Sequence, residues 1–172
     1  MSNLLVQNIK HTNGNTAMTV NSNGLISPKI PILQVNATDT DQSASTGSGD
    51  VKVQWETVEL DTISGWSTSN NNYTPNVAGY YLVGGNLRLK MSTNVHSFFA
   101  IMVRKNTNIV FRHQTNLNSD LLLNGVYPIP TGLIEMNGSS DFLDVIVNSD
   151  EDMVFHDNSD ISNFFAQLVH AT

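Results

Sequence analysis

The sequence contains no cysteine and few charged residues, and each of these shortages excludes a class of protein. Without cysteine there are no disulfides, thiolate metal ligands or thiol nucleophiles, so any fold of this chain must gain its stability from packing. Charged residues make up only 13% of the 172 residues, against about 25% in an ordinary soluble domain. Eight Lys and Arg stand against fifteen Asp and Glu, which gives a net charge of −7. A surface that follows a nucleic-acid backbone is therefore not expected.

Long apolar runs and catalytic motifs are missing as well. Residues 1–8 contain no basic segment and no long hydrophobic stretch, so the sequence predicts neither a secretory signal peptide nor a membrane span. The five histidines are scattered, with no His-x-His pair of the kind that metal-dependent cupins use. No serine lies in a Gly-x-Ser-x-Gly elbow. We therefore predict a protein that is not an enzyme and that needs no cofactor.

The residues in excess are Asn, Ser and Thr, roughly a third of the chain, and they favour turns and β-edges over helices. Between them lie short apolar segments bounded by Gly, Asn, Pro and Asp, a pattern typical of a sandwich or barrel. The sequence predicts an all-β fold, an antiparallel jelly-roll sandwich of about ten strands. The predicted strands include residues 32–35, 51–60, 79–90, 97–105, 108–113, 132–136, 142–148, 153–156 and 161–170.

Residues 1–30 differ from the rest and are predicted to form an extended N-terminal anchoring arm. Short extended pieces alternate there with the turn signals Asn13-Gly14 and Asn23-Gly24, and Pro28 and Pro31 follow them. The arm has too few apolar residues to close a core, so another surface must cover them. We place the boundary between the arm and the jelly-roll domain, residues 31–172, near residue 30. The anchoring residues of the arm are Leu4, Leu5, Val6, Ile9, Met18 and Val20.

Several predicted strands are apolar on both faces, which predicts self-association. In residues 79–90, Tyr81 and Val83 share one face, while Tyr80 and Leu82 lie on the other. A sandwich with almost no helix has nothing else to cover such second faces, so a neighbouring subunit is expected to do it. The predicted subunit interface consists of Tyr80, Leu82, Phe98, Met102, Phe142 and Ile146.

The order of features from about residue 31 to residue 170 resembles the complement globular-head and tumour-necrosis-factor-like family of jelly rolls. The resemblance is carried by Trp55–Val58, by Asn72–Leu82 (NYTPNVAGYYL), by Ile101–Asn106, by Asp141–Val145 and by Asn163–Leu168. It implies a homotrimer in which flat β-faces pack around a threefold axis. No collagen-like stem precedes the domain, and the closing strand has Ala where the family usually has Gly.

The arm resembles the opening of small virion proteins of tailed phages, especially marine and cyanobacterial phages. This second resemblance rests on Leu5–Ile9, Ala17–Val20 and Asn23-Gly24. It implies a location in the phage virion, with synthesis in the host cytoplasm and release by lysis. The arm would then bind other virion proteins.

Two weaker candidate sites come from local composition. Residues 66–73 are rich in aromatic residues and Asn. Aromatic rings stack on sugars and amides form hydrogen bonds with hydroxyls, so this stretch is a candidate ligand loop for a host glycan. An ordinary turn with Tyr73 packed inward is the simpler interpretation. The acidic run Asp150, Glu151 and Asp152 is a candidate calcium site, with a solvated loop as the alternative. The candidate ligand loop consists of Trp66, Asn70, Asn71, Asn72 and Tyr73.

Together these patterns lead to one main hypothesis and two alternatives. The main hypothesis is a non-enzymatic homotrimer displayed on a phage particle as a short tail fibre or tip, in contact with a host receptor or glycan. The first alternative is a capsid decoration protein, which would bury its polar loops against capsid subunits. The second is a free lectin-like or cytokine-like binding module.

Overall fold

The computed structural model describes residues 7–10, 12, 14, 16–37, 41–45, 49–91, 98–116, 124–150, 152–155 and 161–172. The chain divides into two compact units, residues 1–30 and residues 31–172. All regular structure in the described residues is β-strand, as predicted. The strands are β1 (Asn8–Lys10), β2 (Thr16–Val20), β3 (Ile26–Pro28), β4 (Ile32–Asn36), β5 (Gln42–Ala44), β6 (Val51–Lys52), β7 (Thr57–Asp61), β8 (Trp66–Ser67), β9 (Asn72–Tyr73), β10 (Ala78–Met91), β11 (Phe98–Lys105), β12 (Asn108–Asn116), β13 (Asn124–Asn137), β14 (Leu143–Ser149), β15 (Met153–Phe155) and β16 (Asn163–Ala171).

The first unit contains a three-stranded antiparallel sheet in the order β1-β2-β3. The side chain of Asn21 caps the β2–β3 turn, because its Oδ1 accepts the amides of Asn23 and Leu25, each at 2.9 Å. Gly24 then adopts a φ of +76°, a conformation that glycine reaches at little cost. Pro28 pairs opposite Met18 at the end of β3.

The second unit is a sandwich of two antiparallel sheets. The seven-stranded sheet has the order β5-β15-β10-β16-β4-β7, and β13 pairs with the other side of β10. The six-stranded sheet has the order β12-β11-β14-β9-β8, and β6 also pairs with β14. Eight of the described strands in this unit have five residues or more, and the shorter ones extend the sheets at their margins.

The core lies between the two sheets and follows the predicted alternation. Tyr81 and Val83 of β10 are fully buried, as are Phe99 and Ile101 of β11 from the facing sheet. The rings of Phe99 and Tyr127 meet edge to face across the core, with centroids 4.6 Å apart. Successive residues of a strand point to opposite sides, so every second side chain of these strands enters the core, while β11 and β14 are buried on both sides.

The predicted strand over residues 51–60 is wrong, because the structure splits it into β6 and β7, which belong to different sheets. Residues 53–56 cross between the sheets, and Val53 and Trp55 are buried on the way. Their backbones are bonded to neighbouring elements: the Val53 amide donates to the Val145 carbonyl and the Trp55 amide to Asn71 Oδ1. Because the alternation of buried residues continues through the crossing, the sequence shows no break.

Edge protection explains the composition of β13, the 14-residue strand at one margin of the seven-stranded sheet. Pro128 and Pro130 lie on either side of the buried Ile129. Proline has no amide hydrogen to offer to a further strand, and it is confined in sheets mainly to edges and bulges. The two prolines therefore limit strand addition along this margin.

Candidate self-association face

An apolar patch lies on the outward side of the seven-stranded sheet, and we call it the Tyr80 face. It consists of Tyr80 and Leu82 on β10, Leu133 on β13 and Phe165 on β16. Each of these residues is next to a buried core residue, so its own side chain points away from the core. Leu82 pairs directly with Leu133, which makes the apolar surface continuous across two strands. Tyr80 is 38% exposed and Leu133 is 57% exposed.

A glycine sets the position of Phe165. Gly84 of β10 pairs with Phe165 of β16, and a Cβ added to Gly84 would lie 3.1 Å from the Phe165 ring and 2.5 Å from Thr131 Oγ1. The ring therefore lies close over bare backbone instead of standing beside a side chain. A side chain at position 84 would therefore displace the Phe165 ring.

The rim of the Tyr80 face is polar. The rings of Tyr80 and His170 lie 6.4 Å apart, and Glu135 pairs with Tyr80 from the other side. Along the sheet the apolar residues give way to amides, since Asn163 pairs with both Asn86 and Asn36. The buried Oδ1 of Asn36 has no hydrogen-bond partner within the described residues. An apolar centre with a polar rim is the usual build of a protein–protein interface.

The predicted interface residues do not form one surface, because they lie on both sheets of the sandwich. Tyr80 and Leu82 lie on the Tyr80 face. Phe98 and Met102 belong to β11, and Ile146 belongs to β14, in the six-stranded sheet. Phe142 immediately precedes β14.

Two of the predicted interface residues have no surface to offer a partner. Met102 and Ile146 form a small buried cluster with Ala100, and both are buried within one chain. Their assignment to the subunit interface is therefore wrong, since a side chain already enclosed in its own chain gains nothing from a neighbour. Phe98 and Phe142 are only partly buried.

An ion-pair cluster occupies the outward side of the six-stranded sheet. The carboxylate of Asp144 is fully buried and accepts hydrogen bonds from Arg104 Nε at 2.8 Å and Nη2 at 2.9 Å. Lys52 Nζ lies 2.8 Å from the same carboxylate and donates to the Asn70 carbonyl at 3.1 Å. The hydrogen bond to Asp144 raises the pKa of Arg104 above its ordinary value, although burial opposes the rise. Two cations, Arg104 and Lys52, therefore compensate the charge of the Asp144 carboxylate.

The candidate ligand loop is a structural turn in this fold. Tyr73 is fully buried and packs edge to face on Tyr81, so the prediction that its ring contacts a ligand is wrong. Burial raises the pKa of the Tyr73 phenol far above its ordinary value, and the charges of Tyr81 and Asp61 add to the rise. Asn71 has a φ of +47° and accepts the Trp55 amide at 2.8 Å. Trp66 pairs with Tyr73 and is partly buried.

The other two polar residues of the candidate ligand loop are also held by the fold. The backbone carbonyl of Asn70 accepts a hydrogen bond from Lys52, and Asn72 pairs with Ser67 in the short hairpin. Three polar atoms are buried in this part of the chain without a hydrogen-bond partner among the described residues: the indole nitrogens of Trp55 and Trp66 and the Tyr73 hydroxyl. The loop therefore presents amides at its tip and keeps its rings inside.

The acidic run gives little support to a calcium site. Glu151 lies outside the described residues, Asp152 is exposed, and Asp150 Oδ1 accepts the Phe98 amide at 3.3 Å. Within the described part of the chain, no group of three or more His, Asp or Glu side chains is arranged to hold a metal ion. The same part contains no helix long and apolar enough to cross a bilayer.

Of the six predicted anchoring residues of the arm, the structure describes three. Leu4, Leu5 and Val6 lie outside the described residues. Ile9 lies on β1, while Met18 and Val20 lie on β2. Ile9 is half-exposed, and the other two are partly buried.

Comparison with known proteins identifies the fold. No family model matches the sequence, and neither does any curated protein. Among solved structures, the Eiger TNF of S. frugiperda is similar with a TM-score of 0.64 and 10% identity, over 84% of this chain and 95% of that one. Murine APRIL at pH 8.0 gives a TM-score of 0.61 and 12% identity, over 82% of this chain and all of that one. Murine APRIL at pH 8.5 gives a TM-score of 0.59 and 14% identity, again over 82% of this chain and all of that one.

These similarities confirm the predicted jelly roll and define it as TNF-like. At such low identities the likeness concerns the fold alone. The arrangement of the two sheets is shared, and the residues on their outward faces are this chain's own.

Sequence reasoning missed two residues of the Tyr80 face, Leu133 and Phe165. The sequence contains a local signal for each of them. Leu133 precedes the core residue Ile134, and Phe165 lies between the core residues Phe164 and Ala166. What the sequence could not supply is the pairing of β13 and β16 with β10, which brings these residues beside Tyr80 and Leu82.

Proposed function

We propose that this protein is a non-enzymatic homotrimer whose jelly rolls associate through the Tyr80 face. The observation that carries the proposal is a partly exposed apolar patch on a sheet whose other side encloses the core. Burying apolar area contributes about 25 cal/mol per Å², so covering this patch favours association. The resemblance to trimeric jelly rolls in the order of sequence motifs supports the count of three.

We further propose that the trimer is a structural protein of a phage virion, displayed on the particle as a short tail fibre or tip. The arm would dock on other virion proteins, and the loops of the jelly roll would contact a host receptor or glycan. Support comes from the resemblance of the arm, residues 1–30, to phage virion proteins.

Capsid decoration is the alternative within the same class, and a free cytokine-like binding module is the alternative outside it. The TNF-like fold agrees with the cytokine-like module. Mass spectrometry of purified particles separates the virion roles from the free module. Limited proteolysis then compares the particle with the free protein. Protection of the jelly-roll loops in the particle would favour decoration, and protection of the arm alone would favour the fibre.

The trimer is tested by light scattering of two matched variants. Leu133→Asp places a charge on the Tyr80 face, whereas Ile109→Asp places one on β12, where Ile109 is 47% exposed. We expect the wild type and Ile109→Asp to have a mass of about 57 kDa, three times the 18.9 kDa chain. Leu133→Asp should shift toward the monomer. A wild-type monomer at micromolar concentration, or equal behaviour of both variants, would overturn the assignment.

A further inference from the structure

The three-stranded sheet of the arm has two unlike faces. Ile9 pairs opposite Met18, and Val20 pairs opposite Ile26. Directly paired residues share a face of an antiparallel sheet, and so do residues two apart on one strand. These four side chains therefore form one apolar surface, which we call the arm face.

The reverse side of the same sheet is polar. Asn8 pairs opposite Thr19, and Thr19 Oγ1 donates a hydrogen bond to Asn8 Oδ1 at 3.1 Å. The four residues that define the arm face are uncharged, and Lys10 lies at its end, opposite Thr16. One face of the sheet is thus apolar and the other polar, the pattern typical of an antiparallel sheet with one packed face and one solvated face.

Among the described residues of one arm, no side chain covers the arm face. Ile9 is 49% exposed and Ile26 is 62% exposed, and no described residue of the unit is buried. A small sheet needs a covered hydrophobic face for independent stability. The geometry of β1, β2 and β3 therefore calls for a partner on this side.

The small size of the arm face decides what that partner is. Stable complexes between free proteins bury about 800 Å² on each side, far more than four aliphatic side chains supply. A partner that met only this surface would bind weakly from solution. A partner held in the same assembly is present at an effective concentration of about millimolar, and a small face is then sufficient. The neighbouring arm meets this condition, because Ile30 is followed directly by Pro31, so each jelly roll carries its arm without a linker.

We propose that the arm faces of the subunits in one oligomer pack against one another. This inference rests on the proposed trimer. Three such faces turned toward a common axis would cover Ile9, Met18, Val20 and Ile26 with their counterparts. The polar sides, with Asn8 and Thr19, would remain outward for contact with other virion proteins.

The absence of native cysteine makes the test direct. In the full-length protein, Ile9→Cys introduces a single thiol on the arm face, and Thr19→Cys introduces one on the polar side as the matched control. Both are exposed to copper-phenanthroline oxidation, and disulfide-linked dimers are counted on non-reducing gels. We expect Ile9→Cys to cross-link at least about tenfold faster than Thr19→Cys, because the arm faces meet at the axis while the polar sides point away from it. The rate should not depend on protein concentration.

Light scattering of the same samples separates the two proposals. A monomer would overturn the trimer itself. A trimer in which both variants cross-link equally slowly would overturn only the packing of the arms, and would mean that another molecule covers the arm face. Ile26→Cys serves as an independent second probe, and it should follow Ile9→Cys.

Discussion

Arg104 donates two hydrogen bonds to the buried carboxylate of Asp144, one from Nε at 2.8 Å and one from Nη2 at 2.9 Å. The two residues pair directly on β11 and β14, so the sheet register itself sets this contact. Lys52 reaches the same carboxylate from β6. One acidic residue therefore joins three strands of the six-stranded sheet.

We expect Asp144→Ala to lower the free energy of unfolding by about 3 to 5 kcal/mol, because it leaves the partly buried Arg104 without its counter-charge. Urea denaturation of the two proteins measures the difference. The double variant Arg104→Met/Asp144→Leu should recover much of the loss, since well-packed apolar residues replace a buried ion pair at little cost. A loss below about 1 kcal/mol in the single variant would show that the pair is a weak surface contact.

Asp141 predicts a pH dependence of stability. Burial raises the pKa of its carboxyl, but hydrogen bonds from Lys105, Asn106 and the Asn137 amide together bring the pKa below its ordinary value of 3.8. A carboxyl whose pKa is lower in the folded state contributes stability above pH 3.8, and this is lost as the pH falls through the folded value. We therefore expect Asp141→Asn to melt below the wild type at pH 7, and the gap should shrink below pH 3.8. A gap that stays constant down to pH 2 would contradict this account.

Truncating core side chains should lower the free energy of unfolding independently of pH. Tyr81 and Leu143 are both fully buried and belong to opposite sheets. Tyr81→Ala or Leu143→Ala should each cost about 2 to 5 kcal/mol through the cavity left behind. Urea denaturation measures this loss. Leu82→Ala serves as the contrast, because Leu82 lies on the Tyr80 face and should weaken the trimer more than the subunit. Equal loss of folding from all three, with the trimer unaffected, would reverse the assignment of faces.

Local alternation predicted much of the fold. It separated Tyr81 from Tyr80 and Phe99 from Phe98 correctly, because burial on one side of a strand repeats every second residue. It failed for Met102 and Ile146, which are apolar on the second side of their strands but are buried within one chain. Periodicity records that a side chain is buried, and it carries no information on which chain buries it.

The candidate ligand loop failed for a related reason. An aromatic residue in an Asn-rich turn has the same composition whether its ring points out or in. The direction of Tyr73 is set by its pairing with Trp66 and by Gly65, where an added Cβ would lie 2.8 Å from the ring. Both contacts depend on a hairpin of two-residue strands, too short to give a periodic signal.

Gly84 offers a test of the Tyr80 face that leaves the core intact. A Cβ at this position would meet Thr131 Oγ1 at 2.5 Å and the Phe165 ring at 3.1 Å. Gly84→Ala should displace Phe165 outward and weaken association about tenfold or more, since 1.4 kcal/mol corresponds to a factor of ten. Gly125→Ala is the control, because its Cβ would make ordinary contact with Tyr127 at 3.4 Å. Sedimentation equilibrium measures both, and an unchanged trimer in Gly84→Ala would remove Phe165 from the interface.

Deletion of residues 1–30 separates the two units of the chain. The jelly roll contains every fully buried residue that the structure describes, so the truncated protein should keep its cooperative unfolding. It should remain trimeric through the Tyr80 face, with a somewhat lower melting temperature because the packed arm faces are lost. Incorporation into particles should be abolished, as measured by mass spectrometry of purified virions. The control is Ile109→Asp in the full-length protein, which leaves the arm unchanged and should still be incorporated. A truncated protein that dissociates to monomers would place the main trimer contact in the arm, and a truncated protein still found in particles would end the anchoring role.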